Sequence, residues 1–226
     1  MRVHVAFTPD EAASAPTGIV VDVIRATSTI AQALSAGYAR VLCVSELEQA
    51  RTLRAELPDS IVGGERDAVR IEGFDVGASP REFLQPRAET LILSTTNGTR
   101  SIVTAAERCD EVLIGSLLNL DALVRKAEER GEDVAVICAG YEGAFALDDA
   151  YCAGRIVQRL EAERSDAAVA AEVIASAYPD APTGLNARTY GPPWLEEDIT
   201  FCARESVLDA VPRFAGMCGP AAKIVL

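Results

Sequence analysis

In this sequence the residues able to do chemistry gather at the ends of short apolar runs. Asp22 and Arg25 stand where GIVVDVI (Gly18 to Ile24) finishes, and Thr27, Ser28 and Thr29 follow at once. Glu65 and Arg66 follow IVGG, the run Thr95, Thr96, Asn97, Gly98, Thr99, Arg100 follows TLILS, Ser116 follows EVLIG, and Gly140 follows VAVICA. Asp148 and Asp149 open a later segment of helical character. Hydroxyls and glycine amides entering a helix suit a tetrahedral oxyanion. Arginine's planar fork matches phosphate, carboxylate or sulfonate. Carboxylates in the same place suit a hard cation, and with phosphoryl chemistry that cation is Mg²⁺.

Each feature also has a plainer use. Thr27, Ser28 and Thr29 can cap the next helix, Asn97-Gly98 can be a turn, and Glu65-Arg66 can be a solvated ion pair. Asp22 can be a buried partner of Arg25, and Asp148-Asp149 can simply favour a helix dipole. The functional reading rests on their coincidence at one edge of one sheet.

The composition narrows the chemistry further. One histidine, His4, excludes every site built on two or more. There is no GxxxxGK[ST] and no GxGxxG, Cys138 has Ala144 where a thiolate phosphatase loop needs arginine, and Asp22-Val23-Ile24 lacks a second aspartate. A net charge of −13 argues against nucleic acid and anionic membranes as partners. The expected partner is a small anionic phosphorylated substrate, bound by a monomer or a homodimer. Six cysteines without a CxxC pair read as reduced and structural, and no apolar run is long enough to span a bilayer, so a cytoplasmic location is expected.

Apolar strands alternate with amphipathic helices along the chain. Strands are expected at Gly18–Ile24, Arg40–Val44, Ile61–Gly64, Thr90–Ser94, Glu111–Gly115 and Asp133–Gly140. Helices are expected at Ser28–Ala36, Glu46–Glu56, Gly98–Glu107 and Asp121–Arg130. Two more helices fall between Asp148 and Tyr178. The Pro- and Gly-rich tail from Thr183 reads as irregular, ending in KIVL as an edge strand. This pattern predicts an α/β fold with a mostly parallel sheet flanked by helices. It is either one domain or two α/β lobes, about 1–115 and 116–226, with the site between them.

The segments VVDVIRATSTIAQAL, GGERDAVRIEGFDVGASPREF, LSTTNGTRSI, LIGSLLN and CAGYEGAFALDDAYCAG resemble the 2-phosphosulfolactate phosphatase family, in the family's order. LEEDITFCARESVLDAVPRF is similar to its carboxyl-terminal region. The resemblance implies a Mg²⁺-dependent phosphatase that converts 2-phospho-3-sulfolactate and water to 3-sulfolactate and phosphate, a step towards coenzyme M. It carries over onto Asp22, Arg25, Thr27, Ser28, Thr29, Glu65, Arg66, Asp75, Ser79 and Pro80, and onto Thr95 through Arg100, Ser116 and Asn119. Asp148-Asp149, Gly140-Tyr141-Glu142 and Glu205 depart from the family pattern. On this reading Asp22, Glu65 and Asp149 hold the metal. Arg25, Arg66, Asn97 and Arg100 complete the catalytic set. Thr27, Ser28, Thr29, Thr95, Thr96, Gly98, Thr99, Ser116 and Gly140 bind the substrate. Attack by water and a covalent aspartyl-phosphate on Asp22 are both compatible with this set, as are another small phosphorylated acid or sugar and a non-catalytic binding role.

Overall fold

The computed structural model describes every residue except Ala12 and Asp67, together with the side chain of Pro193. Asp67, which directly follows Arg66, therefore lies outside the described residues. The chain runs β1 (Arg2–Ala6), β2 (Ala15–Val21), α1 (Ala26–Ala36), β3 (Arg40–Val44), α2 (Leu47–Glu56), β4 (Ser60–Arg66), β5 (Val69–Arg70) and β6 (Thr90–Ser94). It continues with α3 (Asn97–Ala106), β7 (Cys109–Gly115), α4 (Leu120–Arg130), β8 (Val134–Cys138), α5 (Leu147–Arg159), β9 (Glu163–Arg164) and α6 (Asp166–Ser176). The last elements are α7 (Ala181–Asn186), α8 (Glu196–Cys202), β10 (Arg213–Cys218) and β11 (Ala221–Val225). Among the described residues no helix is long and apolar enough to cross a membrane.

The strands form one 11-stranded sheet in the order β5-β4-β6-β3-β11-β10-β7-β2-β8-β1-β9. It holds two parallel blocks, β4-β6-β3 and β7-β2-β8-β1-β9, so the fold is α/β with a mostly parallel sheet. The β10–β11 hairpin joins them and is antiparallel to both. KIVL, expected at an edge, thus lies in the middle of the sheet. Ala221, Ala222 and Ile224 are buried there, as a strand covered on both faces requires.

Alternating side chains show why the sheet takes helices on both faces. In β2, Val20 enters a central core while Ile19 and Val21 enter an outer one. In β6, Leu91 and Leu93 face the central core and Ile92 the opposite side, beneath α2. The central core receives residues from both blocks, with Ile30 and Leu34 of α1 and Ile102 of α3 among them. The sheet therefore curls around α1 and α3. Strand twist, about 20–25° between neighbours, accumulates across the hairpin between two blocks that run in opposite senses. The carboxyl ends of β2, β4 and β6 meet as a result, and ligand sites of parallel sheets lie at such ends.

Candidate active site

Asp22 directly follows β2, and local hydrogen bonds fix the turn that carries it. Its backbone N–H donates to Thr27 Oγ1 at 3.1 Å, and Thr27 Oγ1 donates to the Asp22 carbonyl at 2.9 Å. The Ala26 amide donates to Asp22 Oδ1 at 3.3 Å, and Ser28 Oγ donates to the Val23 carbonyl at 2.8 Å. Thr29 Oγ1 reaches the Ala78 carbonyl at 2.8 Å and ties this turn to the loop after β5. The three hydroxyls after Arg25 thus bind the chain to itself. Gly98, at the start of α3, leans on the same turn: a Cβ there would sit 2.7 Å from the Ala26 Cβ and 2.9 Å from Asp22 Oδ2. No side chain fits at that approach. The Ile24–Arg25 peptide is cis.

Asp22 is buried, and burial, joined by repulsion from Asp148 and Glu65, pushes its carboxyl up to about 7 against the Ala26 amide and Arg25. Asp148 and Asp149 begin α5, yet their roles differ. Asp149 Oδ1 accepts from the Val23 amide at 2.9 Å and its Oδ2 from the Gly140 amide at 3.0 Å. Both its oxygens are spent clasping the exits of β2 and β8. Burial, with Asp148 and Asp22 nearby, raises its pKa well above the usual range. Asp148 instead lines the cavity, and its Oδ1 accepts from the Tyr190 hydroxyl and from the Asp149 amide. Burial raises its pKa too, opposed by those hydrogen bonds. Burial beside Asp148 raises the pKa of the Tyr190 phenol and keeps it a donor.

The cavity measures about 300 Å³. Asp22, Arg25, Glu65, Arg66, Thr95, Thr96 and Asn97 all line it. Arg25 Nη1 donates to Asp198 Oδ2 at 2.7 Å, and its Nη2 lies 3.9 Å from Glu65 Oε2. Arg66 is held through carbonyls, donating to Glu65 O at 2.7 Å and Ser45 O at 2.9 Å. Thr96 caps α3 without a side-chain hydrogen bond, which leaves the first amides of that helix without a side-chain partner beside the part of the cavity lined by Thr95, Thr96 and Asn97.

The remaining sequence candidates lie elsewhere. Arg100 points out from α3, about half exposed, and pairs with Asp10. Ser116 is buried in a reciprocal cap, its amide and hydroxyl both donating to Asn119 Oδ1. Thr99 is buried behind the first turn of α3, and Gly140 supplies its amide to Asp149.

The far wall comes from a segment the sequence left as irregular tail. Arg188 and Tyr190 line the cavity there, and Tyr141 stacks on Tyr190 with ring centroids 4.3 Å apart. Arg188 donates to the Tyr190 and Pro192 carbonyls, which turns its guanidinium along this wall. A signal for it existed: Arg188 is the only basic residue between Arg164 and Arg204, in a stretch rich in acids.

Mg²⁺ is ordinarily held by one or two carboxylates, with water and substrate phosphate completing its shell. Among the described residues no group of three histidine, cysteine or acidic side chains is arranged to enclose a metal. Asp22 and Asp148 share the cavity, and Asp148 raises the affinity of Asp22 for a proton, a concentration of buried negative charge that a divalent cation would neutralise. The residues fit a cation bound in that open manner.

The sequence profile of the family described as 2-phosphosulpholactate phosphatase matches residues 4–216. A probable 2-phosphosulfolactate phosphatase of Thermus thermophilus is 39% identical over 233 residues, covering 98% of each chain. Namesakes from Clostridium novyi and Thermotoga maritima are each 35% identical. The first spans 88% of both chains, and the second 93% of this chain and 94% of its own. The chain belongs to the 2-phosphosulpholactate phosphatase family.

Proposed function

We propose that this protein hydrolyses the phosphomonoester of 2-phospho-3-sulfolactate, giving 3-sulfolactate and phosphate, with Mg²⁺ as cofactor. The observation that carries the reading is the single cavity in which Asp22 and Asp148 meet Arg25, Arg66 and Arg188 beside the start of α3. A substrate bearing phosphate, sulfonate and carboxylate needs several cations in a small volume, and these arginines supply them inside an acidic protein. Family membership supports the same activity.

Asp22 and Asp148 would hold Mg²⁺, whose chemistry when bound is Lewis-acid polarisation of the phosphoryl oxygens. Asp148 takes the place expected of Asp149, whose oxygens already serve two backbone amides. The first turn of α3, with Thr95, Thr96 and Asn97, receives the phosphate on its amides and positive dipole end. Arg25 stabilises charge developing on the transferred group. Arg66 and Arg188 take the sulfonate and carboxylate. Glu65 orients the attacking water and accepts its proton. The bond from phosphorus to the C2 oxygen then breaks, and the departing alkoxide takes a proton from solvent. The free thiols of all six cysteines suit a cytoplasmic enzyme.

The test is phosphate release from a panel of phosphorylated carboxylic acids and sugars, with and without Mg²⁺. The expected result is Mg²⁺-dependent turnover that is fastest on 2-phospho-3-sulfolactate. Faster turnover of a sugar phosphate would reassign the substrate, and no turnover of any ester would remove the enzymatic reading. Single turnover with substrate carrying radiolabelled phosphate, quenched in acid, should leave the protein unlabelled; label retained on Asp22 would replace direct attack with an aspartyl-phosphate.

A further inference from the structure

Asp198 lies in α8, 5% exposed, and it does not line the active-site cavity. It faces a second cavity of about 330 Å³ on the other side of Arg25, and Arg25 lines both. Its Oδ2 accepts from Arg25 Nη1 at 2.7 Å, and its Oδ1 accepts from Ser79 Oγ at 2.5 Å. Arg81 Nη1 stands 3.7 Å from that Oδ1 and 2.5 Å from Glu197 Oε2. Three distant parts of the chain meet on this carboxylate.

Arg25 is thus held from two sides, by Asp198 through Nη1 and by Glu65 at 3.9 Å from Nη2. Its side chain is only 9% exposed, and its remaining edge faces the active-site cavity. A long arginine side chain left free samples many rotamers, and a clamp of this kind removes that freedom before substrate arrives. We propose that Asp198 is a positioning residue that acts on the reaction through Arg25, fixing the guanidinium where the phosphoryl group must bind. This rests on the reading of Arg25 given above. A buried ion pair that serves only the fold would lose stability when broken. One that serves Arg25 would lose catalysis in a way that vanishes once Arg25 is gone.

The experiment is a double-mutant cycle on the full chain with Arg25→Gln, Asp198→Asn and both together. It reads kcat and KM on 2-phospho-3-sulfolactate, inorganic phosphate affinity by calorimetry, and the urea midpoint. Asp198→Asn is expected to lower kcat roughly 10- to 100-fold, with KM changed less than about threefold, since misplacing a group by an ångström can cost that much. The double variant should be no slower and bind phosphate no more weakly than Arg25→Gln alone. In Arg25→Ala, added guanidinium should restore turnover, and Asp198→Asn should abolish that rescue. Additive losses, or rescue that ignores Asp198, would overturn the proposal. Should Asp198→Asn fail to fold, Ser79→Ala removes one hydrogen bond from the clamp. It should then lower kcat by a smaller factor that also disappears without Arg25, and an undiminished loss would count against the clamp. If the native protein turns over no ester, the proposed function falls. The phosphate-affinity cycle then decides the role of Asp198 by the same additivity, and a native protein that binds no phosphate overturns this role as well.

Discussion

At the exit of β2, Asp22 is held by hydrogen bonds to residues a few places along the chain, Ala26 and Thr27. Tyr190 and Asp198, in the later stretch, are tied across the molecule instead. Tyr190 bonds Asp148, 42 residues away, and Asp198 bonds Arg25, 173 residues away. The first region is built mainly by bonds within its own short segment, with Ala78 and Asp149 as its longer-range ties. The second becomes part of the site only once the sheet has curled. In the proposed function the exits supply acids for the cation and amides for the phosphate, and the far segment supplies the wall and the restraint.

If that division is right, the largest loss should come from the strand exits. Asp22→Asn is expected to lower kcat by roughly 10³-fold or more, as loss of a central electrostatic contributor does, with an unchanged circular dichroism spectrum. A variant within tenfold of the native rate would move the chemistry away from β2. The same substitution should stabilise the metal-free protein. A carboxyl near 4 in the unfolded chain and at about 7 in the fold keeps its proton longer when folded. Its contribution is fully present below the unfolded pKa and is lost as pH rises through the folded one. The urea midpoint of the metal-free native protein should therefore fall between about pH 4 and pH 7, and Asp148 and Asp149 act in the same direction. Asp22→Asn should flatten that slope, and an equal slope in both proteins would show that Asp22 is not carrying the penalty.

The far segment should yield a smaller, more selective effect. Tyr190→Phe keeps the stacked ring on Tyr141 and deletes only the hydroxyl that Asp148 accepts. One such hydrogen bond to a charged acceptor is worth about 1.5 kcal/mol, so kcat/KM should fall about tenfold. An unchanged kcat/KM would reduce this segment to a passive wall and sharpen the contrast with the exits.

The same division explains what could be read from the sequence. Strand periods in β2, β3, β4, β6 and β8 are strong because both faces of the sheet are covered, and Asp22, Arg25, Glu65, Arg66 and Thr95 to Asn97 follow from being at the ends of β2, β4 and β6. β1 escaped because MRVHVAF is short and interrupted by His4. The tail escaped because its helices are brief and its order comes from tertiary contacts, and the central place of KIVL depends on strands far away in sequence. Between Asp148 and Asp149 the sequence offers no choice. The burial of one against backbone amides and of the other against Tyr190 is decided by where β8 ends and where the tail returns.

The smallest effect should come from a residue that looked catalytic by its neighbours. Arg100 closes the run that begins with Thr95, but α3 turns it one helical turn away from the cavity. Arg100 lies two positions past Gly98, more than half a turn round the helix from the residue that packs against the Asp22 turn. Ser101 and Ile102 pack inward beside it, and Arg100 remains exposed with Asp10. An exposed ion pair of this kind is worth at most about 1 kcal/mol, and less at high salt. Arg100→Ala should therefore keep kcat and KM within about twofold and shift the urea midpoint only slightly. A loss as large as that of Asp22→Asn would mean that α3 rotates on binding substrate, and that the exits are less rigid than their local hydrogen bonds imply.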